Sequence, residues 1–88
     1  MPDKFETKKL FWKIVNTITE NKDIWLKNKE GEIVEEGMVL PSGASITFEL
    51  KSGVLWLYDK NMNAVYRFSE NNPIVVIFEE LLKEVEEI

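Results

Sequence analysis

The chain contains no histidine and no cysteine. Histidine is the usual acid–base residue near neutral pH, and cysteine the strongest side-chain nucleophile. Their absence excludes Ser-His-Asp and Cys-His catalysis and every Cys/His zinc site. No disulfide braces the fold, so its own core, or an oligomer, must hold it together. Glycine is sparse, and Gly37 and Gly43 fit neither a phosphate loop nor a dinucleotide fingerprint. Long apolar runs are missing as well. The run Ile74–Phe78 has five residues, against ~20 for a membrane helix. The start, Met1-Pro2-Asp3-Lys4, has no apolar signal segment. A cytoplasmic protein that neither crosses a membrane nor carries a cofactor is the expectation.

What is present suits a small globule. Eighty-eight residues, 44% hydrophobic and 31% charged, predict a single domain over 1–88. A chain this short buries roughly 60–65% of its surface. Its formal charge of −5 argues against nucleic acid as a partner, because phosphates need Lys and Arg. The charge is uneven. Residues 1–22 carry a net +2, residues 23–72 a net −3 and residues 73–88 a net −4. The two ends are therefore expected to attract, within one molecule or between two. The Lys/Glu/Asn/Ile-rich usage has the character of an AT-rich bacterial or phage genome.

Hydrophobic spacing predicts a helix over about 6–20. Leu10, Phe11, Ile14, Val15 and Ile18 form one stripe, Trp12 lies off it, and Asp3 or Thr7 is placed to cap the start. A second helix is expected over about 73–88, with Pro73 at its first position and Ile74, Ile77, Phe78, Leu81, Leu82, Val85 and Ile88 along its stripe. That wide stripe is also a candidate homodimer contact. Strands are expected within 24–69. Ile24–Asn28 and Glu32–Glu36 make a hairpin around Glu30-Gly31, with a bulge at Gly37. Residues 44–69 read as a meander with turns at Ser52-Gly53 and Lys60–Asn63. The fold class is α+β: about five antiparallel strands, as a curled sheet or a small SH3- or OB-like barrel, flanked by the two helices. A faint repeat at an offset of 31 aligns Ile24-Trp25-Leu26 with Leu55-Trp56-Leu57, and Val34 with Val65.

A two-residue turn at Ser52-Gly53 would pair Lys51 with Val54 and Glu49 with Trp56. A four-residue loop at 60–63 would pair Trp56 with Arg67 and Tyr58 with Val65. Alternation then puts Ile46, Phe48, Leu50, Leu55, Leu57, Tyr66 and Phe68 on a core face. The second face carries Thr47, Glu49, Lys51, Val54, Trp56, Tyr58, Val65 and Arg67. The repeat extends that face to Trp25, Lys27, Val34 and Glu36. An apolar, aromatic second face has three fates: burial inside a barrel, cover by a second helix, or docking of a partner.

The expected function is a non-enzymatic protein-binding module, such as a bacterial or phage regulator or inhibitor. Its candidate contact residues are Trp25, Trp56, Tyr58 and Arg67, the types enriched at interface hot spots. An alternative is acidic mimicry toward a nucleic-acid-binding protein, through Glu32, Glu35, Glu36, Glu79, Glu80, Glu84, Glu86 and Glu87. A third reading is stacking of single-stranded nucleic acid on the same aromatics. The acids Glu30, Glu32, Glu35 and Glu36 lack the spacing of a calcium loop, and no metal is expected.

Overall fold

The computed structural model describes residues 4–70 and 75–88, and side chains over 8–70 and 79–88. Helix α1 (Lys4–Asn21) is followed by strands β1 (Ile24–Lys27), β2 (Ile33–Val39), β3 (Ser45–Glu49), β4 (Val54–Tyr58) and β5 (Ala64–Phe68), then helix α2 (Val75–Glu86). The strands form one antiparallel sheet in sequence order, β1-β2-β3-β4-β5. The edge strands β1 and β5 do not pair, so the sheet is open and the barrel alternative is excluded. The cap positions Asp3 and Thr7, Pro73, and the stripe residues Ile74, Ile77 and Phe78 lie outside the described side chains.

The stripe of α1 drives it onto the sheet. Phe11, Ile14, Val15 and Ile18 are buried with Met38, Leu40, Ile46, Leu55 and Phe68. Each such side chain contributes about 1.5–3 kcal/mol on full burial. Helix α2 packs against α1 and sends Leu81 and Val85 into the same cluster. Both helices thus share one face of the sheet, rather than covering one face each. The apolar stripe of α2, proposed above as a dimer contact, is in this respect used within the chain. The attraction between the ends also acts internally: Lys13 Nζ lies 3.0 Å from Glu86 Oε1. Trp12 stays 43% exposed, with its indole N–H donating to Glu70 at 2.7 Å.

Three details of the sheet differ from the expected register. The third hairpin turns over residues 50–53, so Glu49 pairs with Val54 and Thr47 with Trp56. This is two residues away from the two-residue turn. A shift of two keeps every side chain on its face, but it leaves Leu50 in the turn, 47% exposed. Gly37 is not a bulge. It pairs with both Ile24 and Thr47, and the irregularity falls at Val34, opposite the Leu26/Lys27 step. In the last hairpin, Trp56↔Arg67 and Leu57↔Tyr66 stand as expected. Val65 is then passed over, so Tyr58 pairs with Ala64.

The offset-31 repeat is reproduced as structure. Asn28 Oδ1 accepts the amides of Glu30 and Glu32, and Asp59 Oδ1 accepts those of Asn61 and Asn63. Asn28 N–H donates to the Glu32 carbonyl as Asp59 N–H does to that of Asn63, both at 2.9 Å. Gly31 and Met62 take the same left-handed position, with φ of 83° and 64°. Each loop is followed by its bulged valine, Val34 or Val65. Short polar side chains at the first turn position bond their own backbone two residues on, which explains why Asn and Asp stand there. Glycine is unstrained at a left-handed position, whereas Met62 is not.

Candidate functional site

The registers join into rows that cross the whole sheet. One row is Trp25, Glu36, Phe48, Leu55 and Phe68; the next is Ile24, Gly37, Thr47, Trp56 and Arg67. Adjacent rows face opposite ways. The first row belongs to the helix-packed face, since Phe48 meets Phe11 with ring centroids 6.4 Å apart. Trp25 therefore sits on the helix side of edge strand β1, 48% exposed, and not with Trp56. This corrects the extension of the second face through the repeat. Glu36 goes with Trp25, and its carboxylate binds Lys22 at 3.2 Å.

The reason is geometric. The repeated hairpins β1–β2 and β4–β5 are separated by a single strand, β3, so β4 runs opposite to β1. Superposing one hairpin on the other requires a half-turn about an axis in the sheet plane. That half-turn inverts the faces. Equivalent tryptophans must then point to opposite sides.

The structure brings Trp56, Tyr58 and Arg67 together on the face away from the helices. The Arg67 guanidinium lies 5.8 Å from the Trp56 ring centroid, within cation–π range. Trp56 and Tyr58 stack with centroids 6.4 Å apart and planes 24° from parallel. Each ring is then tied to a carboxylate. Trp56 Nε1–H donates to Glu49 Oε1 at 3.2 Å, and Tyr58 O–H donates to Glu35 Oε1 at 3.0 Å. Thr47, lying between them and fully buried, donates its hydroxyl to the same Glu35 oxygen at 3.0 Å. Ser52 donates to Glu49. No local pattern assigns Glu35 to this face, because its place depends on the β2–β3 pairing that sets it opposite Glu49.

Burial and the Glu35 hydrogen bond, with the Glu35 charge behind them, push the Tyr58 phenol up from 10.0 to about 12. It stays a neutral donor at physiological pH. The arrangement is a set of rings fixed in position by acceptors.

The acidic alternative is scattered by the fold. Glu35 and Glu36 point to opposite faces. Glu36 is paired with Lys22 and Glu86 with Lys13. Glu79, Glu80 and Glu87 are exposed on or beside α2, Glu84 is half-buried there, and Glu32 stands exposed at the first hairpin loop. The carboxylates of the 30–36 segment do not converge, and among the described residues no three acids are placed to hold a metal ion. No described helix is long and apolar enough to cross a membrane. Tyr66, expected in the core, stacks on Phe68 at 6.1 Å yet remains 43% exposed. Comparison with protein-family models, curated proteins and solved structures finds no match.

Proposed function

We propose that this chain is a small non-enzymatic module that binds a protein partner on the open sheet face, through Trp56, Tyr58 and Arg67. The observation that carries this reading is the fixing of two large rings on the face that the helices leave alone. Rings already held in one rotamer lose little side-chain entropy on docking, which raises the affinity available per unit area. Trp, Tyr and Arg are also the residue types that concentrate binding energy. Phosphate would meet Glu35 and Glu49 beside these rings, which disfavours nucleic acid as the partner. In this reading the module works in the cytoplasm. Trp25, on the opposite side at the sheet edge, is not part of the surface.

Site-specific photo-cross-linking tests the proposal. A photoreactive residue would replace Val39 or Tyr58 on the open face, or Lys9 or Glu80 on the helices. The protein would then be exposed to extract of its own cell. Discrete protein adducts are expected from positions 39 and 58. Adducts from the helix positions alone, or none from the open face, would refute it.

A further inference from the structure

We infer, building on the docking face proposed above, that the partner lays an arginine-bearing segment on it, with a guanidinium taken up between the Glu35–Glu49 pair and the Trp56 and Tyr58 rings. Glu35 and Glu49 are directly opposed across β2 and β3. Like charges so placed repel. Among the described residues, every hydrogen bond the two carboxylates accept comes from a neutral donor: Tyr58, Thr47, Trp56 or Ser52. Among the described residues no lysine or arginine nitrogen comes within ion-pair distance of either. The lysines that do form ion pairs go to Glu70, Glu86 and Glu36. Among the described residues the pair therefore lacks a counter-cation, and the net charge of −5 favours the approach of a basic segment.

The neighbouring rings say which cation. Arg67 already rests over Trp56 at 5.8 Å, so the site accommodates a guanidinium within this same chain. Arg67 is exposed, and an incoming guanidinium can share or replace its place on the ring. A guanidinium is planar, stacks on aromatic faces and offers paired donors to carboxylates, whereas an ammonium does only the last, and as a point charge.

Amide and indole NMR on the full chain tests this with a short peptide alternating arginine and serine. Control peptides replace arginine with lysine or with uncharged citrulline. The arginine peptide is expected to shift the Trp56 indole signal and the amides of Glu35, Thr47, Glu49 and Tyr58. The citrulline peptide should bind roughly ten-fold more weakly or worse, with lysine between them. Glu35→Gln/Glu49→Gln keeps the acceptors and removes the charge, and should weaken the arginine peptide by roughly ten-fold or more. Glu79→Gln/Glu80→Gln should leave it unchanged. Equal binding of arginine and citrulline peptides, shifts confined to the α2 acids, or no shift at millimolar peptide would overturn the inference. So would shifts that appear on concentrating the protein alone, which would make a second copy the occupant, or tryptophan quenching by a thymidine oligonucleotide. The citrulline comparison uses unaltered protein, so it decides the matter even if the double variant misfolds. Failure here with open-face cross-links intact rejects the arginine alone; loss of those cross-links rejects the docking face as well.

Discussion

Replacing Gly37 with alanine should be among the most damaging single-methyl additions this fold can receive. A Cβ there would overlap the Ile46 carbonyl oxygen and come within 2.6 Å of Thr47 Cγ2 and 2.9 Å of Thr47 Cα. Two of those three atoms are backbone, and they belong to the strand paired with β2 at the centre of the sheet. A carbon ordinarily approaches a carbonyl oxygen no closer than about 3.3 Å. Relief therefore requires β2 and β3 to part by a large fraction of an ångström, lengthening hydrogen bonds whose optimum is narrow, about 2.9–3.0 Å. Overpacking typically costs about 1–3 kcal/mol, and a clash with backbone belongs at the upper end. A chain of this length has a total stability of roughly 4–13 kcal/mol. A loss of about 3 kcal/mol lowers Tm by roughly 12–24 °C. Circular dichroism melts and urea midpoints at neutral pH measure this. Gly31→Ala is the control: its φ is +83° but its Cβ meets nothing within 4 Å, so only the left-handed backbone penalty of about 1–2 kcal/mol applies. Gly37→Ala/Thr47→Ala should be no more stable than Gly37→Ala, because the Ile46 carbonyl remains in the way. Full rescue by Thr47→Ala, or a loss below about 1 kcal/mol for Gly37→Ala, would refute the close-approach reasoning.

Tyr58 supplies a pH signature. Its phenol is raised from 10.0 to about 12 in the folded state, so its stabilisation is complete below pH 10 and fades as the pH climbs through 12. The full shift corresponds to at most about 2.7 kcal/mol; the ring is only partly buried, and solvent screening reduces the effect to about 1 kcal/mol. Tyr58→Phe should remove that part of the alkaline dependence in urea midpoints measured from pH 9 to 12, and an unchanged slope would contradict it. Asp59 behaves oppositely: the backbone amide of Asn63, then that of Asn61, holds its carboxyl below the ordinary value. Its contribution is present above that value and lost on acidification through the folded pKa; Asp59→Asn, which copies Asn28 of the sister loop, should flatten the acid limb while leaving the hairpin amide shifts in place. Phe11 and Trp12 are neighbours with different burdens, 0% and 43% exposed. Phe11→Ala should cost about 3–5 kcal/mol and Trp12→Ala clearly less, and equal losses in denaturant unfolding would contradict the assigned core.

Much of the architecture was legible because its signals are local. Phe11, Ile14, Val15 and Ile18 are all buried, as a single helical stripe requires. The third hairpin turned two residues away from expectation, yet Phe48 and Leu55 kept their side of the sheet because the strand period is two. Misassigning the bulge to Gly37 had a physical source: a glycine inside a strand signals either a bulge or a close backbone approach, and the sequence does not distinguish them. Trp56, Tyr58 and Arg67 were legible as neighbours because they lie on one hairpin. Glu35 as the acceptor for Tyr58 was not, since it reaches that ring across the intervening strand β3.

The sequence by itself determined the elements, their order, the side chains alternating on each strand, and the absence of histidine and cysteine chemistry. It also carried the repeat, down to Asn28 and Asp59 at matched turns. Only the tertiary structure decided which way each hairpin faces. Local pattern specifies a hairpin relative to its own strands, but its orientation in the sheet depends on how many strands come between. One intervening strand turns Trp25 toward the helices and Trp56 away from them. The two helices then share a face, and the sheet is left open with its rings and the opposed Glu35 and Glu49 outward.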